Sequence, residues 1–328
     1  MNIAFIGDQG HTALVIDTIQ AHPQEFKAVA VAPAFPDENM SGLIHSLNRI
    51  GQAPNFYSDF YDILRKENVD ICVNCAIPAY MAAPTVAFLS AGVSVFAEKP
   101  MAISLEELDQ IESACRTSGA HVAAILNYRY APAFSTAYQA VAQGMIGQPR
   151  IINAQKSYKL GNRPDYYKIQ SLYGGTIPWV GVHAIDWIAC ASRERFLQVQ
   201  GFHSSMDNCN HGELDVSAVC CFELSNEVLA TVTLDYFRPQ NAPTHADDRL
   251  RIVGTQGIIE VQNGKTLLVK DNIQELPLES NVPSFFVDFA NQVKTGAPCR
   301  ISSSESIELM RVAIGARISA EQKEKFIY

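Results

Sequence analysis

The stretch "MNIAFIGDQGHTALVIDTIQA", residues 1–21, joins an apolar run, a glycine-containing loop and an amphipathic segment. The run "NIAFI" is mostly apolar, as expected of a strand that is covered on both faces of its sheet. The loop residues are Gly7, Asp8, Gln9, Gly10, His11 and Thr12. This order predicts the first strand and helix of a doubly wound parallel sheet, a fold that binds ligands where its strands end.

The same alternation of short apolar runs and helix-like segments continues to about residue 127. The later runs are "FKAVAVAP", "PNFYS", "VDICVNCA", "VSVFAEK" and "HVAAIL". Ser104 followed by Glu107 is typical of a capping box and predicts that a helix begins there. Six strands with five crossovers indicate an α/β domain with a parallel, doubly wound sheet.

The chain changes character from about residue 150. Runs such as "RIINAQKSYKL", "DVSAVCCFELS" and "EVLATVTLDYF" are longer strands, and two helical segments follow them near the end. These features predict an α+β domain with a large, mostly antiparallel sheet. We therefore divide the 328 residues into two domains, 1–127 and 128–328.

The composition argues against several classes of function. The formal net charge of −9, without a basic run, disfavours nucleic-acid binding, and no apolar run reaches the length of a membrane span. The eight cysteines are scattered through apolar segments, which is typical of reduced thiols in a cytoplasmic protein. The "C-x-x-C" at 72–75 and "CNHGELD" at 209–215 are interpreted as a strand and a loop, so no metal site is expected.

Two short stretches contain residues suited to chemistry. "VSVFAEKP" ends the fifth predicted strand with Glu98 and Lys99, and a lysine at the carboxyl end of a parallel strand faces the ligand site. The alternative is a solvated lysine in a loop. "TIPWVGVHAIDWI", residues 176–188, contains His183 and Asp186, which share one face if the segment is helical. This pair indicates either proton transfer or a polar contact at a helix end.

These motifs together resemble those of the Gfo/Idh/MocA family of nicotinamide-dependent oxidoreductases. The E-K-P box lies at residues 98–100, and "GVHAID" fits the family's G-x-H-x-x-D box after the paired glycines Gly174 and Gly175. "LNYRYAPAF", "IVGTQGIIEV" and "ELMRVAIGARISAE" are also similar to stretches of the family. The resemblance therefore extends over nearly the whole chain.

The resemblance implies a Rossmann domain that binds NAD or NADP, followed by a substrate-binding and oligomerisation domain with an open sheet. It implies a substrate of the carbohydrate or polyol class and a homodimer or homotetramer. It implies that Lys99 and His183 are catalytic. The implied cofactor-binding residues are the six loop residues with Ala76, Ile77, Pro78, Glu98 and Lys99. The implied substrate-binding residues are Lys99, Arg129, Trp179, His183 and Asp186.

The sequence departs from the family pattern at several positions. Trp179 stands where family members usually have an aspartate that steadies the histidine, and it either walls the substrate site or fills the core. Pro33 stands where an acid for the ribose is expected, with Asp37 and Glu38 a few residues later. Two functions therefore remain open, a dehydrogenase or reductase and a catalytically idle NAD(P)-binding sensor or regulator. The sequence does not distinguish NAD from NADP.

Overall fold

The structure, a computed structural model, describes all 328 residues. The chain forms two units, each compact by its internal contacts. The first consists of Met1–Ile125 and Pro283–Met310, and the second of Leu126–Val282 and Arg311–Tyr328. The sequence-based division ends its first domain at residue 127, two residues beyond the first segment, and assigns all later residues to the second domain.

The secondary structure alternates strands and helices in the first part of the chain and is dominated by strands in the second. The strands are β1 Asn2–Ile6, β2 Lys27–Ala32, β3 Asn55–Phe56, β4 Ile71–Asn74, β5 Ser94–Ala97, β6 Val122–Ala124, β7 Pro149–Tyr158, β8 Phe196–Ser204, β9 Ser217–Leu224, β10 Leu229–Asp235, β11 Ala246–Gly254, β12 Gly257–Gln262, β13 Lys265–Val269, β14 Ile273–Glu275 and β15 Phe326–Ile327. The helices are α1 Thr12–Ala21, α2 Ser41–Arg49, α3 Phe60–Lys66, α4 Ala82–Ser90, α5 Leu105–Ser118, α6 Pro132–Ala142, α7 Gln170–Tyr173, α8 Val182–Ser192, α9 Phe285–Thr295 and α10 Ser303–Gln322.

The first unit is built on a six-stranded sheet in the order β3-β2-β1-β4-β5-β6, and every pair of neighbours is parallel. Strands β4 and β5 are buried along their whole length, because helices cover both faces of the sheet. The strand order reverses between β1 and β4, and this reversal creates a crevice at the carboxyl ends of the strands. The predicted doubly wound parallel sheet is confirmed.

The start of α5 follows a local signal in the sequence. The Ser104 hydroxyl accepts the Glu107 N–H at 3.2 Å, and the Glu107 carboxylate accepts the Ile103 N–H at 2.8 Å. The predicted start of α5 is therefore confirmed. Gly119, with φ of 72°, ends the helix in the left-handed conformation.

A late segment of the chain returns to the first unit. Phe96 of β5 contacts Phe285, Phe286 and Phe289 of α9, with ring centroids 4.8, 5.2 and 5.4 Å apart. These ring contacts explain why residues 283–310 belong to the first unit. The aromatic spacing of "SFFVDF" predicts a helix, but it does not indicate which sheet that helix covers.

The second unit is built on a nine-stranded sheet in the order β14-β13-β12-β11-β7-β10-β9-β8-β15. Neighbouring strands are antiparallel except for the parallel pair of β7 and β10. Buried and outward positions alternate along β9 and β10, and helices α6 and α8 contact the sheet. The other face is left open, as Ile151, Val219 and Leu229 show by their exposure. The predicted α+β domain with a mostly antiparallel open sheet is confirmed.

The structure contains neither a membrane-spanning helix nor a cluster of metal-binding side chains. No helix has both the length and the apolar composition needed to cross a membrane. No group of three or more histidine, cysteine or acidic side chains is arranged to hold a metal ion.

Candidate active site

The glycine loop packs tightly against the residues that follow β4. Gly7, at the end of β1, has φ of +73°, and a Cβ atom there would lie 2.8 Å from the backbone of Ala76. The Gln9 N–H donates to the Cys75 carbonyl at 2.8 Å. Ala76, Ile77 and Pro78 are all buried beside this contact. The structure therefore brings the loop together with the three residues predicted to lie near the cofactor.

The N-terminus of α1 suits a negatively charged ligand group. Thr12 begins this ten-residue helix, and no side chain caps it at His11. Backbone N–H groups at a helix N-terminus, with the positive end of the helix dipole, favour phosphate. The first-turn N–H groups and the loop therefore suit the diphosphate of a dinucleotide, although the His11 N–H at this end is already bound by Glu98.

The E-K-P segment lies against the same loop. Glu98 has no exposed surface, and its carboxylate accepts the backbone N–H of His11 at 3.0 Å. The His11 Nδ1 atom lies 2.6 Å from the same carboxylate, and the Lys99 Nζ atom lies 3.7 Å from it. Burial raises the pKa of Glu98, but the Lys99 ammonium and His11 outweigh it and hold that pKa below its usual range. Glu98 is therefore an anion that fixes both Lys99 and the loop.

Lys99 itself is buried, with 4% of its surface exposed. The alternative of a solvated loop lysine is therefore wrong. An ammonium removed from water needs an anionic partner, and Glu98 supplies it. The arrangement holds a cationic hydrogen-bond donor at the carboxyl end of β5.

The sequence showed Glu38 after β2 but did not assign it to the cofactor site. The Glu38 carboxylate accepts the Asp8 N–H at 3.2 Å and the Ala34 N–H at 2.7 Å. The chain folds back to this position through Asp37, which has φ of 63°. Glu38 therefore lies beside the loop although Pro33 occupies the expected position of the acid. In the sequence, the Asp37–Glu38 pair shortly after β2 was the feature that could have indicated an acid at this position.

Asp8 contributes a second carboxylate to this region. It accepts the Leu43 N–H near the start of α2 at 2.8 Å. Burial raises the pKa of both Asp8 and Glu38. Neither carboxylate has a lysine or arginine partner, so the end of the loop nearest to β2 is anionic.

His183 lies at the start of α8, directly after an unusual helical segment. Residues Ile177–Gly181 form a π-helix that continues into α8. Single π-helical turns are frequent at functional sites. His183 is buried, and its ring lies edge-on to that of Tyr128, with centroids 5.2 Å apart. The predicted helix that carries His183 is confirmed.

Asp186 forms a buried ion pair with Arg129. The Arg129 Nε and Nη2 atoms each lie 2.7 Å from the Asp186 Oδ1 atom. Asp186 is fully buried and Arg129 is 6% exposed. The pair links α8 to the turn before α6, so Asp186 provides structural support to the helix that carries His183.

Trp179 belongs to an aromatic cluster. Its ring lies 5.7 Å from that of Tyr167 and 6.0 Å from that of Tyr173, and its side chain is buried. Trp179 belongs to the π-helix and stands at the position of the aspartate expected from the family pattern. Trp179 therefore provides packing at this point, and the π-helix carries no carboxylate.

Three further polar residues that the sequence did not single out lie beside His183. The Lys156 Nζ atom donates to the Tyr128 hydroxyl at 2.8 Å and lies 2.9 Å from Asp248. The Tyr128 hydroxyl donates to Asp248. Burial raises the pKa of Tyr128 far above its usual range, so this hydroxyl remains protonated. The three residues come from distant parts of the sequence. The register of β7 and β11 places Lys156 opposite Asp248, and Tyr128 reaches both from the turn before α6.

The parallel sheet with its glycine loop, and the buried lysine at the end of β5, define the class of dinucleotide-binding oxidoreductases. Residues 1–125 match the description "Oxidoreductase family, NAD-binding Rossmann fold". Residues 134–260 match the description "GFO/IDH/MocA C-terminal domain". The chain belongs to the Gfo/Idh/MocA family, as its motifs indicated.

Individual relatives agree with this assignment. An oxidoreductase candidate of known structure from Thermotoga maritima is 37% identical, with both chains covered completely and a TM-score of 0.95. The myo-inositol 2-dehydrogenase of Thermotoga maritima is 21% identical over 323 residues, with 94% of each chain covered. The uncharacterised oxidoreductase YrbE of Bacillus subtilis is 22% identical over 291 residues, with 83% of this chain and 84% of that protein covered. The predicted nicotinamide cofactor is confirmed at the level of an NAD-binding Rossmann domain.

Proposed function

We propose that the chain is an NAD(P)-dependent dehydrogenase or reductase that acts on a CH–OH group of a sugar, polyol or related small molecule. The observation that carries this proposal is the buried ion pair of Lys99 and Glu98 at the end of β5, against the glycine loop. A solvated lysine would need no such partner. The myo-inositol 2-dehydrogenase among the relatives supports a polyol-like substrate.

The proposed roles follow from the chemistry of each side chain. The nicotinamide, when bound, supplies or accepts the hydride. Lys99 donates a hydrogen bond to the reacting oxygen of the substrate, and His183 takes or returns the hydroxyl proton. The substrate site is proposed to be lined and supported by Arg129, Trp179 and Asp186, which are fixed by their buried contacts.

The cofactor is proposed to lie along the glycine loop, with its diphosphate at the N-terminus of α1. Ala76, Ile77 and Pro78 would border it at the end of β4. Glu38 is the proposed acid for the adenosine ribose, because its carboxylate lies at the loop and has no cationic partner.

The open face of the second sheet supports a homodimer or homotetramer. Ile151, Phe202, Val219 and Leu229 expose between 42% and 56% of their surface there. Apolar patches of this kind mark association surfaces. All eight cysteines are free, which supports a role in the reducing cytoplasm.

Two measurements test the proposed function together. A melting-temperature screen with oxidised and reduced NAD and NADP should show a rise with at least one dinucleotide. The absorbance of the reduced nicotinamide should then report turnover with a panel of sugars and polyols that includes myo-inositol. Lys99→Met should lower kcat about 10²- to 10⁴-fold. Lys66→Met, an exposed lysine of α3 in the same unit, is the matched control and should leave kcat unchanged.

A second function is favoured by one observation. Trp179 fills the position of the family's usual acid with a buried aromatic cluster, which leaves the π-helix without a carboxylate. This supports a catalytically idle, NAD(P)-responsive sensor or regulator. Dinucleotide binding without turnover on any panel member would favour the regulator. Turnover that Lys99→Met abolishes would exclude it.

A further inference from the structure

A group of basic side chains, three of them lysine or arginine, lies at the end of β7 in the second unit. We define the basic cluster as Lys156, Lys159, Arg163 and His245. Asp248 is the carboxylate beside it, and Asp248 binds Lys156 at 2.9 Å and accepts the Tyr128 hydroxyl. The cluster therefore has more cations than carboxylates.

Lys159 and Arg163 lack anionic partners. The Lys159 Nζ atom donates to the Ala242 carbonyl, and the Arg163 Nη2 atom donates to the Lys159 carbonyl at 3.0 Å. Neither side chain forms an ion pair with a carboxylate. Backbone carbonyls bind cations without neutralising them, so the positive charge of both side chains remains available.

The pKa of His245 is lowered in part by this excess of positive charge. Burial lowers the pKa of His245, and the cations Arg163, Lys159 and Lys156 lower it further, while Asp248 opposes them. His245 stacks on the ring of Tyr158 with centroids 5.2 Å apart. The side chains thus share one region of positive potential next to an aromatic wall.

The Arg163 guanidinium packs against two aromatic rings, and its Nε–H group has no acceptor. Its guanidinium carbon lies 4.8 Å from the ring centroid of Tyr236 and 5.6 Å from that of Tyr167. Its Nε atom is buried and has no hydrogen-bond partner. A buried donor without an acceptor is costly, and a planar guanidinium suits two-point binding of a carboxylate or phosphate. A positively charged guanidinium with an unpaired donor suits an anionic ligand.

The basic cluster is connected to His183 through Tyr128. The Lys156 Nζ atom lies 4.1 Å from the ring centroid of Tyr128 and 4.7 Å from that of Tyr158. His183 is one of the ring neighbours of Tyr128, with centroids 5.2 Å apart. An anion on the cluster would therefore lie in the same part of the second unit as the proposed acid/base.

We propose that the basic cluster binds a carboxylate or phosphate group of the substrate, with Arg163 and Lys159 as its principal ligands. This inference rests on the proposed function and narrows it. The substrate is then a sugar or polyol that carries an acid or a phosphate group, and neutral sugars bind poorly.

Calorimetric titration of the NADH-saturated protein tests the inference with ligands that share one sugar core. The ligands are D-glucose, D-glucuronate and D-glucose 6-phosphate, with inorganic phosphate as the isolated anion. At least one of the three anions should bind at least about tenfold more tightly than D-glucose, since charged hydrogen bonds are strong. The ligand that binds most tightly identifies the group as a carboxylate or a phosphate.

The variants Arg163→Gln and Arg163→Lys separate the charge of Arg163 from its shape. Arg163→Gln should weaken anion binding at least about tenfold, and Arg163→Lys less, because lysine keeps the charge and loses the planar fork. Lys168→Gln is the matched control from the same segment, where the lysine is exposed and paired with Asp165. It should leave anion binding unchanged.

Three results would overturn the inference. The first is that D-glucose and the anions bind equally tightly. The second is that the Arg163→Gln and Lys159→Gln variants still bind the anions as the unchanged protein does. The third is that the protein binds NADH but none of the anions. A protein that binds no NADH would instead overturn the proposed function. The NADH control titration therefore distinguishes the two failures.

Discussion

The glycine loop and the basic cluster present opposite charges to their surroundings. Around the loop, Asp8 and Glu38 are carboxylates without cationic partners. In the basic cluster, Lys159 and Arg163 are cations without anionic partners. Carboxylates bind hydroxyl groups well and repel phosphate, whereas cations attract anions. This difference supports the two proposals, that the first unit binds ribose hydroxyls beside the diphosphate and that the second unit binds an acidic group of the substrate.

The largest expected effect concerns the histidine next to the basic cluster. His183→Asn removes the proposed acid/base and should lower kcat about 10²- to 10⁴-fold. Steady-state rates with the best member of the substrate panel measure this loss. NADH affinity, followed by fluorescence, should remain within about twofold because His183 does not belong to the glycine loop. An unchanged kcat would remove His183 from the mechanism.

The next effect concerns stability and the buried ion pair of Arg129 with Asp186 in the second unit. Asp186→Leu leaves the buried Arg129 guanidinium without its carboxylate and should lower the free energy of unfolding by about 3–5 kcal/mol. The double variant Arg129→Met/Asp186→Leu removes both charges and should recover part of that loss. Urea denaturation of the two variants makes the comparison. Equal losses in the single and double variants would show that the ion pair is not the source of the effect.

A smaller effect is expected at the anionic end of the loop. Glu38→Gln removes a charge and one acceptor, and it should raise the Kd for NADH about three- to tenfold. Asp37→Asn removes a neighbouring exposed charge and should leave the Kd unchanged. Titration of each variant with NADH provides the measurement. Equal affinities of the Glu38 and Asp37 variants would show that Glu38 is not the ribose ligand.

The smallest effect is a dependence of stability on pH at Asp8. Burial raises the pKa of Asp8 in the folded state, so ionisation is more costly there than in the unfolded chain. This free-energy cost of ionising Asp8 is absent well below the unfolded pKa of about 4, and it is fully present above the folded pKa. Asp8→Asn should therefore raise the melting temperature by about 1 °C at pH about 7 and leave it unchanged at pH about 3. A constant difference between the two pH values would contradict this origin.

The two regions also differ in how far the sequence could predict them. The glycine loop, Ala76–Pro78 and the E-K-P segment are contiguous motifs, and a parallel sheet brings strand ends together by its topology alone. The sequence therefore indicated these residues as a group, and the structure places them side by side in the first unit. Glu38 was named in the sequence but not assigned to the site, because only a turn through Asp37, at positive φ, returns it to the loop.

The surroundings of His183 could not be predicted in the same way. Tyr128, Lys156 and Asp248 come from three segments, and β7 must pair with β11 in one register for Lys156 to lie opposite Asp248. Single-sequence patterns show which face of a strand is buried, but they do not fix the pairing of distant strands. The aromatic neighbours of Trp179 also come from outside its own segment.

The most direct test of the central claim is the rate of NADH formation with matched charged and neutral substrates. Suitable pairs are D-glucuronate with D-glucose, D-galacturonate with D-galactose, and myo-inositol 1-phosphate with myo-inositol. At least one charged member should be oxidised with a kcat/KM at least about tenfold above that of its neutral partner. Equal kcat/KM values within every pair, or no NADH formation by a protein that binds NAD, would contradict the claim.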